Sequence, residues 1–264
     1  MAYKIAIASQ KGGVGKTTTA VNLSASLALG EKETLLVDLD PQGCASVALD
    51  FNQELLFRGV YEIFTRNFPP AGSVHRTEVP HLALIPSNIW SNNAEEEITR
   101  ASINRTSLAR SLEALDDDYQ FVVIDSPPSM SHLTVSALVA ADSVLIPVQA
   151  EFYSYNAFEQ FIRLVKTVRL SVNPDLEIEG FLLTMYDDRT NLAHEVEEAL
   201  RRRFGKLVFK TVIPRSVALA EAPARGKPAI FVDGRSAGAQ AYLQLANELL
   251  RRQSNRAKHR SRVL

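Results

Sequence analysis

Short apolar runs alternate with Ala/Leu-rich or helically periodic stretches along almost the whole chain. Residues 3–8 (YKIAIA) form a run of strand length, and the Ala/Leu-rich segment that ends at Leu29 predicts a helix behind it. Residues 34–37 (TLLV) predict a second strand and 81–86 a brief one. Residues 121–124 (FVVI), 143–148 and 178–184 are uninterrupted apolar runs, as a strand buried on both faces requires. Helical spacing falls at 104–115, with Leu108, Leu112 and Leu115 on one face, and helices are also predicted at 131–140, 157–170, 192–204 and 237–252. Residues 207–213 predict a last strand. Residues 50–80 are less regular and are broken by Pro69, Pro70 and Pro80, while Glu95, Glu96 and Glu97 make residues 93–100 a solvated helical face.

Strands alternating with helices imply parallel crossovers, so the expected fold is α/β: a doubly wound, mostly parallel sheet flanked by helices. The pattern predicts one domain over residues 1–252 and a flexible basic tail at 253–264. In such sheets ligands sit beyond the carboxyl ends of the strands. The chain's most distinctive residues fall at those ends.

Residues 10–18 read QKGGVGKTT, between the first strand and the first helix. Gly12, Gly13 and Gly15 admit positive φ, so main-chain N–H groups can converge on an anion while the helix starting near Lys16 aims its positive dipole end at the same point. Lys16 suits the β and γ phosphates of a nucleotide, and the Thr17 hydroxyl suits their Mg²⁺. The usual phosphate loop has a glycine five positions before Gly15; here that place holds Gln10, and Lys11 adds a second cation. Asp38 and Asp40 end the second strand and Asp125 ends the run FVVI. Asp125 has the form of a carboxylate that holds a metal's water shell. Asp38 and Asp40 share one side of an extended strand, and either could instead form the turn before Pro41.

Composition narrows the alternatives. Hydrophobic residues at 46% and charged residues at 22% fit an ordinary globular protein, and a formal net charge of -1 gives no global attraction to nucleic acid or anionic membrane. Any such binding must come from local patches. Cys44 is the single cysteine, which excludes an internal disulfide and a CxxC metal site and fits a reducing cytoplasm. No basic segment followed by an apolar core opens the chain and no 18-residue apolar stretch occurs, so neither export nor a membrane span is expected.

The blocks KGGVGKTT, LLVDLDPQG, FVVIDSPPS, ADSVLIPVQAE, TMYDDRTNL and IPRSVALAEAPARGKP occur in this order. Together they resemble the ParA family of deviant Walker A partitioning ATPases, P-loop NTPases, and within it the short chromosomal Soj type. The likeness runs from Lys4 to about Leu250. It implies ATP and Mg²⁺ as cofactors and an ATPase that is weak until stimulated. Lys11, Gly12, Gly13, Val14, Gly15, Lys16, Thr17 and Thr18 would cradle the nucleotide, with Lys11 contacting phosphate across an ATP-bound sandwich dimer. Asp40 would join Lys11 and Lys16 in hydrolysis, and Asp38, Asp125 and Thr17 would serve the metal. Met185, Pro214, Arg215 and Val217 would line the adenine site. The resemblance further implies an ATP-dependent homodimer that binds double-stranded DNA non-specifically and is stimulated by a ParB-like or cargo adaptor protein, to segregate or position DNA or a protein assembly. The protein would be cytoplasmic and associated with the nucleoid.

Arg189 and Arg215 match the family's DNA face, but Ala218 stands where a later arginine is common. The basic tail, beginning with Arg251 and Arg252 and containing no Asp or Glu, is the candidate substitute. The alternative is a MinD-like membrane-associated positioning ATPase. Its C-terminal amphipathic anchor would have only Val263 and Leu264 to draw on, so membrane is not an expected partner. A metal-cluster carrier on the same scaffold would need paired cysteines.

Overall fold

The apolar runs of the sequence become a single sheet in the computed structural model, which describes residues 1–151 and 155–263. Its strands are β1 (Tyr3–Ile7), β2 (Thr34–Asp38), β3 (His75–Arg76), β4 (Leu82–Ile85), β5 (Phe121–Asp125), β6 (Ser143–Gln149) and β7 (Glu177–Thr184). They lie in the order β3-β4-β2-β5-β1-β6-β7, parallel throughout except for the short β3 edge. The doubly wound, mostly parallel α/β architecture expected from the alternation is therefore present.

Each strand sends successive side chains to opposite faces, and both faces are covered. Ile5, Ile7, Leu36, Val123 and Leu145 pack with Leu23 and Leu27 of the helix Lys16–Leu29 and with Tyr242 and Leu245 of the helix Ala237–Val263. Ala6, Leu35, Val37, Val122 and Ile124 face the other way, toward Leu108 and Leu112, Leu133 and Leu138, and Phe161 and Val165. Burying one such aliphatic side chain contributes roughly 1.5–3 kcal/mol, so the two cores fix the register of the strands. That register decides where the chemistry lies. Ile7 pairs with Asp125, and Asp38 pairs with Asp125, which brings the ends of β1, β2 and β5 together.

Two elements differ from expectation. Residues 207–213 do not extend the sheet as a strand; they touch it through one bridge, Phe181 to Val208, and a second bridge, Tyr186 to Pro214, follows just beyond the end of β7. The Phe209 and Ile213 amides donate to the Phe181 and Leu183 carbonyls, each at 2.9 Å. Between them, the Lys210 and Thr211 amides donate instead to the Glu248 carboxylate, both at 2.9 Å. A side chain from the last helix takes the donors that a ladder would need. Gly180 permits this close passage, since a Cβ there would lie 2.5 Å from the Leu207 carbonyl.

The last helix also runs on past Arg252, to Val263. No Gly or Pro interrupts residues 250–264, and side chains tie the extension down. Gln253 Nε2 donates to Glu179 at 3.1 Å, and Arg256 donates to Glu179 at 2.6 Å and to the Tyr3 hydroxyl at 2.9 Å. Tyr3 and Glu179 lie near the starts of β1 and β7, at the end of the sheet opposite the phosphate loop.

Candidate functional site

The loop after β1 turns through two left-handed glycines, Gly13 at φ 71° and Gly15 at φ 83°, where any other residue would be strained. Gly15 caps the helix Lys16–Leu29 without a side-chain acceptor, which leaves its first N–H groups for a ligand. Val14 is buried, and its carbonyl accepts the Thr184 hydroxyl at 2.9 Å. That bond pins the loop to the end of β7. Thr184 opens the block TMYDDRTNL, but nothing in that block marks it for this part beyond its place at a strand terminus.

The two lysines are placed very differently. Lys16 is buried, with Nζ 3.3 Å from the Lys11 carbonyl. Burial lowers its pKa, while the charges of Asp125 and Asp40 act to raise it. Lys11 is exposed and its Nζ reaches Gln149 Oε1, at the end of β6, at 3.2 Å.

The three aspartates are also unlike one another. The Asp38 carboxylate is fully buried with both oxygens hydrogen-bonded: it accepts from the Ser46 amide at 2.8 Å, the Ser46 hydroxyl at 2.7 Å and the Asp40 amide at 3.2 Å. Burial still raises its pKa, against the pull of the Ser46 bonds. Asp40 accepts the Gln42 amide at 3.0 Å, an Asx turn leading through Pro41, and lines a cavity with Lys16 and Thr17. Asp125 is fully buried, and neither of its oxygens makes a well-formed hydrogen bond among the described residues, although the Thr17 hydroxyl stands close enough to stabilise its charge. Burial drives its pKa well up and the nearby Asp38 charge adds to this, while the Thr17 hydroxyl and Lys16 act in the opposite sense. Two unpaired carboxylate oxygens in a buried site are costly unless a cation or its water shell meets them.

Two cavities flank the loop and share Gly15, Thr18 and Met185. One, of about 410 Å³, is lined by Met185, Pro214, Arg215 and Val217, so the four residues expected around a base are brought together. Tyr242 closes it and hydrogen-bonds Thr19 at 3.1 Å. Met185 has φ 50°, a conformation that costs a non-glycine residue of order 1 kcal/mol or more and is found disproportionately at ligand sites. The second, of about 390 Å³, holds Gly13, Lys16, Thr17, Asp40 and Cys44. Asn22 stands behind it, accepting the Ala229 amide at 2.8 Å and so tying the segment after Lys227 to the first helix.

Of the residues expected to contact DNA, Arg189 and Arg215 lie together around Asp187, while Arg251 and Arg252 belong to the last helix. Arg189 is exposed, but its guanidinium makes a paired contact with Asp187, at 2.8 and 2.7 Å. The two-residue spacing of Asp187 is what lets the side chain fold back. These bonds lower the Asp187 pKa to about 2. Arg215 pairs with Glu151. Arg251 is exposed. Arg252 is committed to the chain itself, donating to the Glu179 and Val208 carbonyls and to Glu248, with its guanidinium 3.9 Å from the centre of the Phe209 ring. It braces the last helix against β7 and is withdrawn from solution. Among the described residues no helix is long and apolar enough to cross a membrane.

This arrangement has close parallels. The family of AAA domains matches residues 2–178. The chromosome partitioning protein ParA of Myxococcus xanthus is 43% identical over 256 residues, 97% of this chain and 90% of that protein. The sporulation initiation inhibitor protein Soj of Bacillus subtilis is 46% identical over 245 residues, 93% of this chain and 97% of that one. A solved structure of cobyrinic acid a,c-diamide synthase from Mycobacterium smegmatis, with bound ADP and magnesium, superposes with a TM-score of 0.82 at 34% identity, covering 96% of both chains. With its phosphate loop, strand-end aspartates and near full-length identity to these partitioning proteins, the chain belongs to the ParA/Soj family of P-loop ATPases.

Proposed function

We propose that this protein binds Mg·ATP, closes on a second copy of itself around the nucleotide, binds DNA non-specifically as that dimer, and hydrolyses ATP slowly until a ParB-like or cargo-bound protein stimulates it. The observation that carries the reading is the contrast between the lysines. Lys16 is buried beneath the loop and supplies the cation needed in its own site, whereas Lys11 stands exposed at the loop's rim. A second cation facing outward fits the phosphate of a partner copy, where it would steady charge that develops on transfer.

Thr17 and Asp125 would hold Mg²⁺ and its water shell, which supplies charge neutralisation at the phosphates. The orphaned Asp125 oxygens fit that task. Asp38, held by Ser46 and the Asp40 amide, fits a supporting part: it fixes the turn that presents Asp40. The cavity of Met185, Pro214, Arg215 and Val217 would take adenine, and Thr18 would add a phosphate contact.

Lys11→Ala tests the reading directly. ATP affinity should stay within about threefold of the parent, because the in-cis cation remains, while the ATP-dependent dimer should be lost. Light scattering with a non-hydrolysable analogue and Mg²⁺ measures the second, and a nucleotide titration the first. A Lys11→Ala protein that still dimerises on ATP would remove the basis for the proposal.

For DNA, Arg189, Arg215 and Arg251 are the remaining candidates. Two of them carry acidic partners that a phosphate must displace, an exchange of exposed ion pairs that costs little. Asp187→Ala should therefore raise DNA affinity of the ATP-bound protein, and Arg189→Glu should lower it and reduce the salt slope by about one unit. Arg251→Glu is a cleaner companion than deleting the tail, since deletion also removes the Arg252 and Arg256 braces. Gel-shift affinity unaltered in Arg189→Glu/Arg251→Glu would place DNA on another surface.

A further inference from the structure

The loop that follows β7 reaches two places. Met185, its first residue, lines the cavity read as the base site, and Arg189, further on, stands exposed on the face read as the DNA surface. Its backbone is tied to residues 213–215: the Tyr186 amide donates to the Ile213 carbonyl at 3.0 Å, and the Arg215 amide donates to the Tyr186 carbonyl at 3.2 Å. The outer half of the loop is held by a side-chain cluster that neither site uses. The Tyr186 hydroxyl donates to Glu197 Oε2 at 2.6 Å and lies 3.0 Å from His194 Nδ1, while His194 Nε2 lies 2.8 Å from the Asp188 carbonyl. Glu197 and His194 belong to the helix Asn191–Phe204, so the cluster clasps the loop to that helix.

Counting hydrogens fixes the protonation of the clasp. The Asp188 carbonyl can only accept, so His194 Nε2 must carry a hydrogen. The Tyr186 hydroxyl has one hydrogen for two neighbours. It goes to the nearer and ionised one, Glu197, whose other oxygen accepts Arg201 Nε at 2.7 Å. His194 Nδ1 then faces a phenolic lone pair, and the contact closes only if that nitrogen carries a hydrogen as well. Burial, with the Glu197 bond and charge behind it, pushes the Tyr186 pKa up to about 12, so the phenol keeps its proton. Burial also opposes the charge on Glu197, but the bonds from Tyr186 and Arg201 and the charge of His194 hold its pKa below the usual value. The cluster is complete with His194 as imidazolium and one donor short with a neutral ring.

His194 is exposed, so protons reach it from solution. The other charged groups around it are Asp187, Asp188 and Arg189 from the loop, Glu198 and Arg201 from its own helix, and Arg215 from the segment beside the loop. We propose that His194 is a proton-dependent positioning residue for the DNA-facing loop: as imidazolium it clasps Asp188 to Tyr186 and Glu197 and holds Arg189 in place, and as neutral imidazole it lets the loop go, so that DNA affinity falls as pH rises. The inference rests on the reading that Arg189 meets DNA, and it supplies a regulation of that surface. Two effects act in the same direction. A loop fixed beforehand loses less freedom when Arg189 meets a phosphate, and the imidazolium adds a positive charge to the face that carries Arg189 and Arg215.

The test is a pH series of fluorescence-anisotropy titrations with a random-sequence DNA duplex at fixed ionic strength, on the full chain with Mg²⁺ and a non-hydrolysable ATP analogue. Between about pH 6 and about pH 8, where histidine changes charge, the parent's DNA affinity should fall about fivefold or more. His194→Gln keeps a donor for Asp188 but cannot titrate, so its profile should be flat, near the parent's value at high pH, with ATP affinity unchanged. Glu197→Gln removes the charge opposite the ring and should move the fall to lower pH, a displacement that a merely structural role would not give. Without DNA, the backbone NMR signals of Asp188 and Arg189 should titrate together with the His194 ring in the parent and stay still in His194→Gln. A pH profile that His194→Gln reproduces, or one that Glu197→Gln leaves in place, would overturn the proposal. The two arms separate the failures: loop signals that ignore the ring sink the clasp whatever DNA does, and a loop that follows the ring in a chain that binds no DNA at any pH sinks the reading of the surface and its regulation with it.

Discussion

Replacing Lys16 by alanine should abolish nucleotide binding, with ATP affinity falling about a hundredfold or more. A charge-assisted hydrogen bond contributes roughly 1.5–3 kcal/mol, and a lysine at the β and γ phosphates makes more than one. The loss goes beyond those bonds. Lys16 is the buried cation acting on Asp125 and Asp40, so without it two carboxylates face the triphosphate uncompensated. Burial already depresses the Lys16 pKa in the free protein, and an incoming phosphate restores preference for the charged form. Calorimetric titration with Mg·ATP measures the change. A circular dichroism melt should accompany it, since a folded Lys16→Ala protein with unchanged ATP affinity would contradict the site as described.

Much of this site was legible in the sequence because its determinants are local. Glycines at 12, 13 and 15 fix a loop whatever surrounds it, and a run such as FVVI ending in Asp125 places that carboxylate at a strand terminus once the strand is granted. Alternating strands and helices then bring all such termini to one edge. What could not be read depends on partners distant in sequence. Asp38 and Asp40 look interchangeable until Ser46 is seen to hydrogen-bond one of them. Residues 207–213 have the composition of a strand, yet Glu248, from a helix some forty residues on, takes their amides. The basic tail reads as a solvated run, but Tyr3 and Glu179, remote in sequence, receive Arg256. Arg252 illustrates the same point for function: composition marks it as a phosphate ligand, and three acceptors within the chain claim it.

Asp40→Ala should leave ATP bound and slow hydrolysis by about a hundredfold or more, the scale on which a positioned carboxylate contributes, and so trap the ATP-bound dimer. The side chain lines the cavity that holds Lys16 and Thr17, and unlike Asp38 it does not have both oxygens hydrogen-bonded among the described residues. It does have a structural duty, since it accepts the Gln42 amide, and the alanine variant confounds the two by removing both. Asparagine separates them. An Asx turn forms equally well with an amide oxygen, so Asp40→Asn should preserve the turn, the melting temperature and ATP affinity. A carboxylate that orients or deprotonates the attacking water has no substitute in an amide, so turnover should fall as far in Asp40→Asn as in Asp40→Ala. Single-turnover hydrolysis of radiolabelled ATP, read beside light scattering for the dimer, gives both quantities in one preparation. If Asp40→Asn hydrolyses ATP at the parental rate, Asp40 is a turn former and the attacking water is oriented by another group. If it is slow but monomeric, the carboxylate serves closure of the dimer before it serves chemistry, and the order of the two steps in the cycle follows from which variant first loses the dimer.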